Sequence, residues 1–370
     1  MKNTKLIVKT KSKTYPIYFG NNIIGKTGYL IKRNLPGVKK ICILSDTNVP
    51  GQILKKLIKS VKKYELIIYK LSASEKNKSV KVANKIIEDL LNKNFNRSDC
   101  IIALGGGIIG DLSAFISSLT KRGTKFINIP STLLAQVDAS IGGKTGVNTI
   151  QGKNLIGTFY QPDFILSDVS VLKSLPDREI ISGYGEILKH SIILDKKFFL
   201  WLSKNGKKII YQKNSTFLKE AIVKSCKIKC KIVSKDEKEK DLRMILNFGH
   251  TFAHGFEATK NFSQKLNHGE AVLLGMFLAS DLSHQKKILS IKDLLLIKKH
   301  YLDLNLPRHI SKNFKKKDVN KIIYFMKKDK KNVSKKINLI LLNRIGKTTN
   351  SGEISLNSTE IEKFLKSYFL

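Results

Sequence analysis

The stretch Asp99-Cys-Ile-Ile-Ala-Leu-Gly-Gly-Gly-Ile-Ile-Gly-Asp111 decides the fold of the first half of the chain. It begins with an apolar run typical of a buried strand, passes through consecutive glycines and continues into a run typical of a helix. In a dinucleotide-binding unit, such glycines let the backbone approach a pyrophosphate at the helix N-terminus. The same glycines also suit an ordinary tight turn, and both interpretations stand at this point.

Similar strand-like runs recur on both sides of this stretch, at 40–44, 66–69, 99–104, 125–129 and 164–166. Amphipathic helical patterns such as 80–91 separate them, and this alternation predicts a Rossmann-like α/β domain with a mostly parallel sheet over residues 1–175. Beyond Pro176 the periodicity is mainly helical, through 185–194, 215–233, 248–258, 268–283 and 291–301. We therefore expect a mostly α-helical domain over 176–370, interrupted by a strand-like run at 336–342, and an active site in the cleft between the domains.

The formal net charge of +39 raises the question of nucleic-acid binding. Only 7 of the 68 basic residues are arginine, and the lysines are spread along the whole chain without a confined basic face. This distribution argues against specific nucleic-acid binding. The charge still favours collection of anionic small molecules by electrostatic steering.

Cysteine usage and hydropathy point to a cytoplasmic protein. The four cysteines, Cys42, Cys100, Cys226 and Cys230, are too few and too scattered for a disulfide framework. No apolar run approaches the roughly 20 residues that a membrane-spanning helix needs. We therefore expect neither disulfides nor a membrane partner.

The dinucleotide interpretation departs from the usual pattern in one respect. An acidic residue about 20 positions after the glycines normally binds a ribose hydroxyl, but residues 121–125 read Lys-Arg-Gly-Thr-Lys. Asp46, which follows the strand-like run at 40–44, could take this role instead. The geometry of the bound dinucleotide would then differ from the ordinary Rossmann arrangement.

Three of the seven histidines fall within nineteen residues, as His250, His254 and His268. Imidazole binds zinc and also transfers protons near neutral pH, so the cluster indicates a metal or proton-transfer site. His250 and His254 are four residues apart and would share a helical face, which favours them at first as a pair of metal ligands. A single histidine is more often a satisfied or solvated side chain.

The segment 130–154 combines glycines with Asp138, Lys144 and Lys153. Small residues admit a ligand, while ammonium groups neutralise a phosphate and an aspartate takes hydroxyls. An irregular glycine-rich loop would explain the glycines but not the clustered polar side chains.

Six blocks of the sequence together resemble the 3-dehydroquinate synthase family of sugar-phosphate cyclases. They occur in the family's order between about Asp46 and Lys331, and they read Gly-Gly-Gly-Ile-Ile-Gly-Asp, Pro-Ser-Thr-Leu-Leu-Ala-Gln-Val-Asp-Ala-Ser-Ile-Gly-Gly-Lys-Thr, Gly-Lys-Asn-Leu-Ile-Gly-Thr-Phe-Tyr-Gln-Pro, Tyr-Gly-Glu-Ile-Leu-Lys, Asn-Phe-Gly-His-Thr-Phe-Ala-His and His-Gly-Glu-Ala-Val. The match departs from the family at residues 72–78, where an Asp-Gly pair is missing before Glu75, and at Asp241, where glycine is common.

The resemblance implies one divalent metal, zinc or cobalt, bound by Glu186, His250 and His268. His254 then becomes a proton acceptor or substrate ligand rather than a metal ligand. The other catalytic residues implied are Glu239, Lys144 and Arg243.

The resemblance also implies an NAD site and a site for a phosphorylated sugar acid. The implied NAD contacts are Asp46, Asn48, Glu75, Lys78, Gly107, Ile108, Ile109, Gly110, Asp111, Ser131, Thr132, Lys144, Lys153, Val171, Leu172, Lys173 and Ser174. The implied substrate contacts are Arg122, Asp138, Lys144, Asn154, Lys189, Lys229, Arg243, Asn247, His254 and Lys330.

The activity implied is conversion of 3-deoxy-D-arabino-heptulosonate 7-phosphate to 3-dehydroquinate and phosphate, a step of the shikimate pathway to aromatic amino acids, by a homodimeric lyase. NAD is reduced and reoxidised within each turnover. Two alternatives remain: another sugar-phosphate cyclase, and a metal-dependent polyol dehydrogenase that would release NADH.

Overall fold

A computed structural model of the chain describes residues 4–263, 265–328 and 336–369. The chain forms two compact units, one of Met1–Ile180 with Lys213–Lys238 and the other of Ile181–Gln212 with Glu239–Leu370. A domain boundary between residues 175 and 176 stays a prediction. The compact units differ from that division mainly because residues 213–238 pack with the first unit.

The strands, in chain order, are β1 (Thr4–Lys9), β2 (Thr14–Gly20), β3 (Lys40–Asp46), β4 (Glu65–Leu71), β5 (Cys100–Gly105), β6 (Lys125–Pro130), β7 (Val147–Thr149), β8 (Gly152–Ile156), β9 (Phe164–Asp168), β10 (Ile337–Leu339), β11 (Leu342–Arg344), β12 (Lys347–Thr348) and β13 (Ile354–Leu356).

The α-helices are α1 (Thr27–Asn34), α2 (Gly51–Ser60), α3 (Val80–Asn92), α4 (Gly107–Leu119), α5 (Asp177–Leu194), α6 (Lys196–Ile210), α7 (Ser215–Lys235), α8 (His250–Thr259), α9 (His268–Gln285), α10 (Ile291–Asp303), α11 (Val319–Lys327) and α12 (Ser358–Lys366). Short 3-10 helices cover Ile24–Lys26, Thr120–Arg122, Val169–Ser174, Leu242–Asn247, Ile310–Lys312, Lys316–Asp318 and Ser367–Phe369, and a π-helical turn covers Ala135–Ala139.

The first unit is built on a seven-stranded sheet among the described residues, with the order β1-β2-β9-β6-β5-β3-β4. β1 and β2 pair antiparallel at one edge, and the remaining neighbours pair in parallel. All six residues of β5 are buried, as expected of a central parallel strand that is covered on both faces. On one of those faces, α3 places Ala83, Ile86 and Leu90 in the core with residues of β5.

The strand order reverses next to β3. The chain moves outward from β3 to β4 and then returns across β3 to β5, so the carboxyl ends of β3 and β5 form a topological switch point. In open α/β sheets, ligands bind in the crevice at such a point. The turn after β5, formed by Gly105, Gly106 and Gly107 and called the glycine turn below, lies at this position.

The second unit is mostly helical, and the predicted α/β plus helical fold class is confirmed. One local prediction was wrong: the strand-like run at 336–342 is two strands, β10 and β11. β10 pairs with β13, whereas β11 pairs with β12. Leu341, between them, instead donates its backbone N–H to Thr349 Oγ1 at 3.0 Å.

The helix predicted at 248–258 begins two residues later than expected, at His250. Gly249 has a left-handed backbone with φ of 79°, which cannot continue into a right-handed helix. The four cysteines are free thiols and all are buried. Across the described residues, no helix combines the length and the apolar composition that a bilayer-spanning segment requires.

Candidate functional site

The glycine turn places backbone at the carboxyl edge of the sheet in the first unit. α4 begins at Gly107, after Gly106 in an extended conformation. A Cβ atom at Gly106 would lie 3.2 Å from Thr132 Cγ2, and one at Gly107 would lie 3.2 Å from Ala139 Cβ. Because side chains would crowd this turn, the glycines keep the N-terminal amides of α4 accessible to an anionic ligand.

The predicted NAD residues in the first turn of α4 can contribute mainly through their backbone. Ile109 is 1% exposed because its side chain packs in the core. A similar situation holds in the 3-10 helix Val169–Ser174, where Val171 and Leu172 are buried. The side chains of these residues are therefore not available to a ligand.

Asp46 and Asn48 lie at the end of β3, beside the glycine turn. The backbone N–H and the Nδ2 amide of Asn48 both donate to Asp46 Oδ1, at 3.0 and 3.2 Å. These bonds fix the orientation of the Asp46 carboxylate at the switch point. The placement fits the predicted ribose contact.

Lys78 connects a predicted NAD residue, Asp111, with a predicted substrate residue, Asn154. Its ammonium donates to Asp111 Oδ2 and to Asn154 Oδ1, both at 2.6 Å, and the Lys78 side chain is only 6% exposed. Burial raises the pKa of Asp111, although the adjacent ammonium opposes the shift. The structure thus brings two predicted NAD residues and one predicted substrate residue into a single network.

A second network surrounds Glu75. Lys153 donates to Glu75 Oε1 at 2.5 Å and Asn148 Nδ2 donates to Oε2 at 2.7 Å. Burial raises the pKa of Glu75, but these two hydrogen bonds outweigh it and leave the pKa below its ordinary value. Asn148 was not predicted as a site residue, although it lies in the same glycine-rich segment.

Asp138 lies on the π-helical turn, an arrangement that is rare and often occurs at functional sites. Lys229 of α7 donates to Asp138 Oδ1 at 2.6 Å and to its backbone oxygen at 2.5 Å. Cys226, one turn earlier on α7, donates to the Gln136 backbone oxygen at 3.4 Å. α7 therefore holds this turn in place from the first unit.

Four further predicted residues of the first unit lie on other segments of the chain. Ser131 and Thr132 follow β6 at the carboxyl edge, and Lys144 is exposed. Arg122 follows the C-terminus of α4, a helix of 13 residues. Such a helix is roughly 20 Å long, so Arg122 is distant from the glycine turn at the other end.

A carboxylate and two imidazoles converge in the second unit. Glu186 of α5 is completely buried, and its Oε1 lies 3.6 Å from His250 Nε2 and 3.9 Å from His268 Nε2. One potential ligand atom from each of the three residues lies within 4.8 Å of the others. Neither oxygen of Glu186 accepts a well-formed hydrogen bond in the described residues, although Lys189 forms an ion pair with Oε2.

The two imidazoles have the orientation that metal ligands need. His250 Nδ1 faces the Phe248 backbone oxygen at 3.4 Å, and His268 Nδ1 faces Glu257 Oε2 at 3.1 Å. Because these oxygens only accept hydrogen bonds, each Nδ1 must carry the proton. In the neutral imidazoles, each Nε2 then has a lone pair on the side of Glu186.

Local sequence explains how the histidines reach this position. Gly249 packs closely on α9, since a Cβ there would lie 2.6 Å from Met276 Cγ. His268 begins α9 behind a capping box in which Asn267 and Glu270 bond each other's backbone amides. Gly269 lets this helix start approach α5, because a Cβ there would lie 2.3 Å from the Ser182 Cα. Both metal-ligand candidates therefore sit at rigid helix N-termini.

The remaining predicted residues of the second unit surround this cluster in part. His254, one turn after His250, has its ring centroid 5.6 Å from that of His250. Asn247 donates to Glu239 Oε1 at 2.9 Å, so the structure brings these two together. Arg243 is buried in the preceding 3-10 helix. Lys330 lies outside the described residues.

Sequence patterns alone had not singled out Glu257. It follows His250 by seven residues on α8, which is two helical turns and therefore the same face. That spacing was the only signal that could have identified it.

Most of the chain matches models of a known protein family. The family model described as "3-dehydroquinate synthase N-terminal" matches residues 68–182, and "3-dehydroquinate synthase C-terminal" matches residues 183–332. A 3-dehydroquinate synthase of Pelagibacter ubique is 54% identical over 362 residues, covering 98% of each chain.

Two solved structures share the fold. A 2-deoxy-scyllo-inosose synthase complexed with carbaglucose-6-phosphate, NAD+ and Co2+ superposes with a TM-score of 0.88 at 23% identity, covering 98% of this chain and 100% of that one. The 2-epi-5-epi-valiolone synthase of Streptomyces hygroscopicus, with NAD+ and Zn2+ bound, gives a TM-score of 0.85 at 23% identity, covering 98% and 99%. On the family models and the curated relative, this chain belongs to the 3-dehydroquinate synthase family.

Proposed function

We propose that the chain converts 3-deoxy-D-arabino-heptulosonate 7-phosphate to 3-dehydroquinate and phosphate, as a carbon–oxygen lyase. Family membership supports the substrate, and the cluster of Glu186, His250 and His268 is the observation that carries the chemistry. The reaction oxidises one hydroxyl, eliminates phosphate next to the new ketone, reduces the ketone again, opens the ring and closes a carbocycle by aldol addition.

The three residues of the cluster fit a divalent metal, zinc or cobalt. Lys189 already pairs with Glu186 Oε2, but Oε1 and the two Nε2 atoms still face one another, and these donor types suit both metals. Three protein ligands leave a coordination position for a substrate hydroxyl. A bound metal would act as a Lewis acid that makes this hydroxyl easier to deprotonate.

NAD would bind at the switch point of the first unit. The N-terminal amides of α4 would face its pyrophosphate, and Asp46 would take ribose hydroxyls. The cofactor supplies a hydride acceptor that becomes the donor later in the same turnover. Lys78 and Glu75 hold the neighbouring polar side chains in fixed positions, which limits rearrangement when the cofactor binds.

The chain's own side chains would bind the anionic substrate and move its protons. Arg243 and Lys189 are cations buried near the histidine-bearing helices, and they suit a carboxylate or a phosphate. His254 lies beside His250 without belonging to the ligand set, so it is the candidate group for accepting and returning a proton. Glu239, held by Asn247, is a second candidate acid–base group.

On the same family grounds we propose a homodimer located in the cytoplasm, and sedimentation of the purified chain would test the dimer. The activity itself is tested by incubating purified protein with the heptulosonate phosphate, NAD and Zn2+, and by following phosphate and 3-dehydroquinate together. Equal amounts of both products are expected. Phosphate without dehydroquinate would indicate a different cyclase, and absence of phosphate from folded, metal-loaded protein would refute the proposal.

A further inference from the structure

Glu257 makes a direct contact with one of the three metal-ligand candidates. Its Oε2 lies 3.1 Å from His268 Nδ1, on the side of the ring opposite to Glu186. The Glu257 side chain is 12% exposed, whereas that of His268 is 34% exposed. The contact therefore lies at a partly shielded position, where a charged hydrogen bond is less weakened by solvent.

The two imidazoles are held differently. The His250 side chain is 11% exposed, and its Nδ1 faces a backbone oxygen at 3.4 Å. His268 is more exposed, and its ring is oriented by a carboxylate at a shorter distance. Hydrogen bonds to ionised groups are roughly twice as strong as neutral ones. Of these two Nδ1 contacts, the one between Glu257 and His268 is therefore the stronger.

The placement of Glu257 links two helices of the second unit. α8 carries His250 at its first position and Glu257 two turns later, while His268 begins α9. One helix therefore supplies a ligand candidate and also the group that holds the other one. Since helix positions are rigid, this arrangement ties the separation of the two rings to the packing of α8 on α9.

We propose that Glu257 is a positioning residue of the metal centre, and this inference rests on the metal site proposed above. By accepting the Nδ1 proton, Glu257 fixes the tautomer and the ring plane of His268 and increases the donor strength of Nε2. It would act through His268 and not as a metal ligand itself. Outer-shell partners of this kind typically change metal affinity 10- to 100-fold.

The test is metal binding by the full-length protein after removal of metal with a chelator. Co2+ is titrated and its visible ligand-field bands are recorded, and Zn2+ affinity is measured by competition with a chromophoric chelator. Glu257→Ala is expected to raise the Kd for Zn2+ about 10- to 100-fold and to shift the Co2+ bands. Glu257→Gln keeps an acceptor oxygen with the same shape, so it should fall between Ala and the native protein.

Glu360→Ala is the matched control, because it removes a carboxylate that bonds Asn357 N–H at 3.1 Å in the capping box of α12, a helix that carries none of the three ligand candidates. Its Kd should change less than about threefold, well below the outer-shell range. The proposal is overturned if Glu257→Ala binds Zn2+ within threefold of native, if Gln is no better than Ala, or if Glu360→Ala loses as much affinity. Failure of the native protein itself to bind either metal would refute the metal centre as well.

Discussion

His250 Nε2 and Glu186 Oε1 lie 3.6 Å apart, and no part of the Glu186 side chain is exposed. This separation is too long for a hydrogen bond and leaves room for an ion that contacts both atoms. The three neighbouring histidines differ in their position relative to this carboxylate. His250 and His268 face it, while His254 is one turn further along α8. Helical spacing had first favoured His250 and His254 as the ligand pair.

The division of roles predicts different metal affinities for two variants. Glu186→Gln removes the only anionic ligand of the proposed site, so the Kd for Zn2+ should rise more than about 100-fold, beyond the range of outer-shell effects. His254→Ala removes no ligand and should stay within about threefold of native while losing turnover. Chelator competition measures both, with circular dichroism as the control for folding. Equal losses of metal affinity in the two variants would contradict the division.

The position of Gly249 predicts that an alanine there will destabilise the fold. An alanine there needs a left-handed backbone and places its Cβ 2.7 Å from the Met276 backbone nitrogen. The two costs together should lower the free energy of unfolding by roughly 2–4 kcal/mol. Gly352→Ala is the matched control, since Gly352 has a similar φ of 77° and a Cβ added there would meet no atom within 4 Å.

The control should cost only the backbone strain, about 1–2 kcal/mol. Urea unfolding of both variants at neutral pH separates the two contributions. Equal destabilisation by the two alanines would show that the close packing of Gly249 on α9 contributes nothing.

Lys78 predicts a change in NAD affinity. Lys78→Met removes the ammonium that connects Asp111 and Asn154, and it leaves a carboxylate of raised pKa without its partner. Loss of a hydrogen bond to a charged group should weaken NAD binding by about tenfold or more. Lys93→Met is the control because Lys93 and Asp89 form an exposed pair, 47% and 40% exposed, at 2.5 Å.

An exposed pair of this kind contributes little to stability and should not affect NAD binding. Isothermal titration of each variant with NAD provides the comparison. Unchanged NAD affinity in Lys78→Met would refute a role for this lysine in the cofactor site.

His300 predicts a pH dependence of stability in the second unit. It is buried with Tyr184 and Ser203 at 3.0 Å from its ring nitrogens, and burial lowers its pKa to about 4, with nearby Asp303 opposing the shift. A histidine that stays neutral in the folded state while it protonates in the unfolded state stabilises the fold above pH 6.5. That stability is lost as the pH falls toward 4.

Over this window the loss should be roughly 2–4 kcal/mol. Unfolding by urea at pH 7 and at pH 5 should therefore show a smaller difference for His300→Gln than for the native chain. Identical pH slopes in the two proteins would contradict the buried, neutral state of His300.

Prediction from the sequence succeeded where periodicity alone determines structure. The runs at 40–44 and 99–104 are strands because apolar, β-branched residues fill both faces of a buried parallel sheet. Prediction failed at 336–342, since the apolar run does not reveal that the ladder breaks at Leu341 to bond Thr349. Pairing partners that are distant in sequence decide such breaks.

The candidate site likewise contains residues that could be predicted and one that could not. Resemblance to a family indicated Glu186, whose own surroundings in the sequence carry no metal signal, and the structure brings it to His250 and His268. No pattern in the sequence indicated Glu257, because the residue it contacts, His268, begins another helix. Contacts between elements require the packed structure.

In the proposed phosphate elimination, NAD is regenerated at every turnover. The ratio of phosphate released to NAD supplied tests this most directly. Metal-loaded protein is given excess heptulosonate phosphate and NAD at a small fraction of the substrate concentration, while phosphate release and NADH absorbance are recorded together. If NAD is regenerated in each turnover, phosphate will be released far in excess of the NAD supplied, with no accumulation of NADH. Phosphate release that stops once the NAD is converted to NADH, or NADH formation without phosphate, would contradict it.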